Sequence, residues 1–208
     1  MNQPEPSVQS ASSPQLRTLS VADPGPLGLA AFALTTFVLS VFNAGLVDSK
    51  AQPVVIGLAL FYGGLVQLVA GAMEFFKNNV FGATAFCSYG GFWMAYSYLS
   101  THPEQFSAAG PELKATGVGI FLLGWTIFTA YMLVAVTHVN GGLTGTFSVL
   151  LVAFIFLTAG DLLHAHSLTR VGGYFGLAAA FGAWYCSFAA VINSTAGRTV
   201  LSVWPRKK

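Results

Sequence analysis

The chain has 208 residues, of which 9 are Lys or Arg and 7 Asp or Glu, so only 8% carry full charge, against about 25% in an ordinary soluble domain. Apolar residues make up 54%, with 18 Phe and 23 Gly, and such a globule could not cover its surface with charge. The composition therefore argues against a soluble enzyme, and a net charge of +2 offers no basic face for nucleic acid; lipid is the expected solvent.

In chain order, residues 1–22 are Ser-, Gln- and Pro-rich and read as a disordered N-terminal tail. They show no basic stretch ahead of a short apolar run, hence no cleavable leader. Charge-free stretches follow at 24–47, 51–73, 78–103, 115–160 and 171–197. A helix rising 1.5 Å per residue needs about 20 apolar residues to cross a ~30 Å hydrocarbon core. Four stretches fit one span each, and 115–160 fits two, broken at the turn sequence His138-Val139-Asn140-Gly141-Gly142. The reading is an all-α integral membrane protein with six transmembrane helices, at about 26–47, 53–75, 80–100, 116–137, 143–162 and 171–192. Shorter alternating segments, the mark of a barrel, are not seen. Six spans place both termini on one side, with Arg17, Lys77, Arg198, Arg206, Lys207 and Lys208, against Lys50, Lys114 and Arg170 on the other. The positive-inside rule then puts both termini in the cytoplasm. The domain plan is a tail at 1–22, a helical domain at 23–197 and a basic cytoplasmic tail at 198–208.

Polar and small residues within the spans carry the functional signal. Helices in lipid associate through small residues and polar contacts. In the second helix Gly57, Gly64 and Gly71 recur every seven residues, with Gln67 and Glu74 beside that stripe. Gly172, Gly176, Ala180 and Ala183 form another in the sixth. The glycines themselves read first as packing faces. Gln67 is different, because its amide would be costly against lipid. On the first helix Phe32, Thr36, Leu39 and Asn43 share a face, with Thr35 beside them. On the third, Tyr89, Trp93 and Tyr96 share one, and a mid-span phenol at Tyr89 wants a partner or a polar cavity. No Lys or Arg falls near mid-membrane, so the inventory describes a neutral path suited to a small weak acid. Cys87 and Cys186 lie within spans as inert thiols and form no metal or redox motif.

Longer motifs then bring a family into view. Asp23-Pro24-Gly25-Pro26-Leu27-Gly28-Leu29 resembles the N-P-A-P-L-G-L signature of the acetate uptake transporter family, of the succinate–acetate permease type. Phe61-Tyr62-Gly63-Gly64, Phe81-Gly82-Ala83-Thr84-Ala85-Phe86, Ser88-Tyr89-Gly90-Gly91-Phe92-Trp93 and the closing Gly197-Arg198-Thr199-Val200-Leu201 are similar to further family segments, over about residues 23–201. The resemblance implies a six-helix subunit with its own pore, assembled as a homohexamer. It also implies passage of acetate, and in some members succinate, usually coupled to protons, with channel-like conduction also argued. It places a constriction at Phe32, Tyr89 and Leu150, the last by gapless counting along the fifth helix. Substrate-size selection is implied at Ala183, and conserved polar positions at Thr35, Thr36, Asn43, Gln67 and Glu74. The chain departs from the signature at Asp23 and Gly25, and Asp23 adds a charge at the cytoplasmic mouth that could repel carboxylates or, with Glu74, handle a proton.

The expected function is thus a plasma-membrane permease or channel for acetate and related small monocarboxylates, needing no metal or cofactor. The alternative is a non-transporting sensor or structural membrane protein of the same fold. An intramembrane serine protease is disfavoured, since His102, His138, His164 and His166 all fall at span ends or in loops and no G-x-S-x-G occurs.

Overall fold

The computed structural model describes residues 21–106 and 110–206. Nearly all of the expected N-terminal tail, together with Lys207 and Lys208, lies outside the described residues. Six long helices follow one another: α1 (Gly25–Asn43), α2 (residues 54–76), α3 (Val80–Thr101), α4 (Gly110–Val136), α5 (Gly141–Leu162) and α6 (His166–Ala196). This is the six-helix bundle expected, with shifted ends. Pro24 and Pro26 start α1, Pro53 precedes α2, and Asn79 caps α3 by accepting a hydrogen bond from the Gly82 amide at 3.1 Å. At the expected break, Asn140 accepts from the Leu143 amide at 2.8 Å and starts α5. Gly197, at φ +63°, ends α6 in the left-handed conformation that only glycine adopts cheaply.

Five of these helical stretches are long and apolar enough to cross a membrane. The other, α3, is helical over 22 residues and carries more polar side chains, of which Tyr89, Trp93 and Ser97 are buried alongside Phe86 and Phe92. A helix wrapped by its neighbours need not be apolar on every face. α6 starts five residues before the expected position and runs for 31 residues, about 46 Å at 1.5 Å per residue, so it outruns the hydrocarbon core.

α2 departs most from regular geometry. α-Helical turns at Val54–Gly57 and Gln67–Phe76 flank a π-helical segment, Leu58–Val66. Its last wide turn closes where the Gln67 backbone N–H donates to Tyr62 O. The wider turn changes which residues share a face, and this alters the expected Gly57–Gly64–Gly71 stripe. Gly57 is exposed with open space around it, whereas a Cβ on Gly71 would come 2.5 Å from the Cys87 backbone nitrogen. Only the later two glycines are closely packed.

The main pairings are α1 with α6, α5 with α6, α4 with α5, and α2 with α3. Glycine permits the closest of these. Gly173 meets the backbone of Asn43 and Ala44 on α1, Gly176 meets Ser40, and Gly172 meets Leu157 on α5. The buried core runs through the centre and includes Phe32, Tyr89, Leu150 and Ala183. Both described ends of the chain lie at one face, where Lys77 Nζ donates to Val21 O at 3.3 Å and the Gly141 amide to Trp204 O at 2.9 Å. This face is called the terminal side below, and the opposite one the distal side.

Candidate functional site

Two cavities enter the bundle from opposite sides. The terminal-side cavity, about 210 Å³, is walled among others by Asp23, Gln67, Glu74, Asn79, Asn140 and Asn193. The distal cavity, about 290 Å³, is walled among others by Thr36, Asn43, Gln52, Trp93, Tyr96 and Asp161. Each has room for several water molecules. Phe32, Tyr89 and Leu150 line both. The cavities thus meet at an apolar partition of three side chains, all at most 7% exposed, drawn from α1, α3 and α5.

Rings make the partition firm. Phe32 lies 5.7 Å from Tyr89 between centroids, and Tyr89 meets Phe128 edge-on at 5.3 Å, an arrangement aromatic quadrupoles favour. The Tyr89 hydroxyl is 2.9 Å from Thr129 Oγ1, and Thr129 Oγ1 donates to Trp125 O at 2.7 Å. With the single threonine proton committed to that carbonyl, Tyr89 is the donor to Thr129. The phenol's proton is therefore engaged by Thr129 and not offered to the cavities.

Unpaired polar atoms flank the partition. Among the described residues, the buried side-chain atoms with no hydrogen-bond partner are Thr36 Oγ1, both amide heteroatoms of Gln67, and Trp93 Nε1. All three residues line a cavity, Gln67 on the terminal side and Thr36 and Trp93 on the distal side. Leaving a buried donor or acceptor unsatisfied costs about 1–3 kcal/mol. Beside a cavity, such a group can instead be completed by water or by a passing solute.

The other expected residues separate by environment. Thr35 is fully buried, donates to Ala31 O at 2.9 Å and packs against Gly63. Ala183 is fully buried within the core cluster that holds the partition. The described walls of the cavities include neither residue. Asn43 lines the distal cavity. Glu74 accepts from Asn79 Nδ2 at 2.8 Å, and Asp23 Oδ1 accepts from the Gly25 amide at 3.1 Å. A Cβ on Gly25 would sit 3.2 Å from Asp23 Oδ1 and 3.4 Å from Glu74 Oε1, so the two carboxylates flank this glycine at the cavity mouth.

Sequence reasoning missed Thr129, whose signal was a hydroxyl deep in an apolar stretch, and Asn193, which looks like an ordinary helix-end residue. His164 and His166 lie at the distal turn into α6, His164 at φ +52°. Among the described residues no cluster of three metal-ligating side chains occurs.

Comparison with known proteins fits this architecture. Residues 6–206 match the GPR1/FUN34/yaaH family. The chain is 42% identical over 188 residues to acetate permease A of Emericella nidulans, covering 84% of this chain and 63% of that one. It is 40% identical over 178 residues to ammonia transport outward protein 2 of Saccharomyces cerevisiae, covering 82% and 61%. The chain thus spans about three fifths of the length of these fungal relatives. Against the succinate-acetate/proton symporter SatP of Escherichia coli identity is 33%, with 88% of this chain and 95% of that one covered. The solved structure of the bacterial acetate channel SatP superposes with a TM-score of 0.82 over 88% of this chain and 99% of that one, at 33% identity. With its six-helix bundle and two opposed cavities, the chain belongs to the GPR1/FUN34/yaaH family.

Proposed function

We propose that the protein is a permease or channel for acetate and other small monocarboxylates, with no catalytic chemistry of its own. The observation that carries this reading is the pair of opposed cavities meeting at Phe32, Tyr89 and Leu150, with unpaired polar atoms on both sides. A carboxylate entering the distal cavity trades water for Thr36 and Asn43, crosses the partition with its methyl group against the rings, and meets Gln67 beyond it. An apolar neck without fixed charge opposes strongly hydrated inorganic ions more than a weak acid that can shed its charge by protonation. Ala183 backs the neck from within the core and so limits its widening. Thr35 acts by fixing α1 against α2.

Proton coupling is assigned to the Asp23–Glu74 pair at the terminal-side mouth, where a carboxyl can hold a proton beside the passing anion. In this reading residues 23–197 form the transport unit, flanked by cytoplasmic tails at 1–22 and 198–208. The protein sits in the plasma membrane as a homohexamer, succinate is a second substrate, and each subunit conducts on its own. The exposed apolar residues of α4, among them Ile120, Ile127 and Val134, are available to lipid or to a neighbouring subunit. Uptake of labelled acetate into vesicles holding the purified protein tests the reading. Uptake above protein-free vesicles supports it, and its absence from correctly folded protein would leave a non-transporting membrane protein.

A further inference from the structure

The segment after α6, expected as a basic tail, folds back onto the bundle as a strap whose root and tip are held differently. Asn193 grips the root: its Oδ1 accepts from the Val200 and Leu201 amides at 2.6 and 3.0 Å, and its Nδ2 donates to Leu201 O at 2.8 Å. The tip, residues 202–206, rests on the rim of the bundle. Tyr185 donates to Ser202 O at 2.7 Å. The Gly141 and Gly142 amides, the free donors at the start of α5, donate to Trp204 O and Val203 O at 2.9 and 3.0 Å. Pro205 pairs with Asn140.

The tip is part of the terminal-side cavity wall, where Val203 stands with Asn140, Cys186 and Asn193. A Cβ on Gly142 would lie 3.0 Å from Cys186 Sγ and 3.6 Å from Val203 Cβ, so Val203 sits close to the Cys186 thiol, a residue only 3% exposed. The tip also has the marks of a segment that opens locally. It belongs to no helix, its bond from Tyr185 is exposed, and Trp204 stacks on Tyr185 at 5.9 Å between centroids yet stays 59% exposed. Trp204 has φ +52°, a conformation a bulky residue keeps only where its surroundings enforce it. The few bonds of the tip therefore hold a strained backbone down, whereas the root is fixed by three bonds to one side chain.

We propose that the tip is a gate: it pivots on the Asn193 grip, and lifting it withdraws Val203 from the wall and opens the terminal-side cavity. The gate does not depend on what the pathway carries; only the uptake measurement below rests on the proposed acetate transport.

The test locks the tip with the pair Gly141→Cys and Trp204→Cys. A Cβ on Gly141 would stand 3.1 Å from Trp204 Cβ, within a small shift of disulfide geometry. Labelling of Cys186 by a charged maleimide, in detergent and read from the mass of its peptide against that of Cys87, should be about tenfold slower with the disulfide closed than after reduction. Tyr185→Phe keeps the ring on Trp204 and removes only the bond to Ser202 O. It should speed Cys186 labelling about fivefold over the unmodified chain, the weight of one ordinary hydrogen bond. Equal rates in the locked and reduced forms, or a rate unmoved by Tyr185→Phe, overturn the gate. In vesicles, labelled acetate uptake should fall about tenfold in the locked form and recover on reduction. Equal uptake in the two forms overturns the control of passage by the tip. If neither form nor the unmodified chain takes up acetate, the transport reading fails, while the labelling still decides the gate.

Discussion

Gln67 carries the most information of any single side chain. It is 1% exposed, both of its amide heteroatoms lack a partner, and it stands on a cavity wall next to the partition. If a group kept at such a cost serves the cavity and not the fold, stability and transport should respond in opposite directions. Gln67→Leu is expected to leave thermal unfolding in detergent unchanged or slightly raised, while acetate flux falls about tenfold, the loss of one good hydrogen bond at the barrier. A fall in both would make Gln67 a structural residue. Its buried position was legible in the sequence because an amide in an apolar helix has few tolerable places. The roles of Thr35 and Thr36 were not separable that way. They are neighbours, and only packing against Gly63 decides that Thr35 bonds to its own helix while Thr36 meets the cavity. Leu150 and Ala183 test the neck itself. Leu150→Ala should widen uptake towards lactate, and Leu150→Phe should narrow it, as read by competition between labelled acetate and lactate. Ala183→Phe should also narrow it, with an added loss of about 1–3 kcal/mol of stability because that site is filled. Unchanged selectivity in all three variants would remove the neck from this position.

At the scale of the helix, α2 shows what periodicity alone could not supply. A seven-residue glycine repeat assumes regular turns, and the π-helical segment Leu58–Val66 breaks that assumption. Gly57 and Gly71, equivalent in the repeat, therefore part company. Gly57→Ala should be neutral or stabilising by up to about 1 kcal/mol, the usual gain of replacing a helical glycine. Gly71→Ala should cost about 1–3 kcal/mol, because the new methyl meets the backbone of α3. Unfolding of the two variants in the same detergent checks the contrast, and equal effects would contradict the register described. Helix ends were easier to read: Pro24, Asn79 and Asn140 act locally, and each marks a boundary. The early start of α6 escaped because His164 and His166 look like loop residues beside Asp161 and Arg170.

For the whole molecule, absence of charge describes both the lipid-facing stretches and the partition between the two cavities. The number of spans and the common side of the termini followed from where 16 charges fall in 208 residues. The meeting of Phe32, Tyr89 and Leu150 could not, since they lie on three helices far apart in sequence and only the packed bundle joins them. Their assignment rested on a resemblance, and Leu150 on counting alone. The central claim, that this joined path passes a weak acid together with its proton, is tested most directly by uptake of labelled acetate into vesicles with and without an imposed pH gradient. Saturable uptake that rises when the outside is made acidic, and that falls in Leu150→Phe, is the expected result. Uptake no faster than in protein-free vesicles under either condition would contradict it.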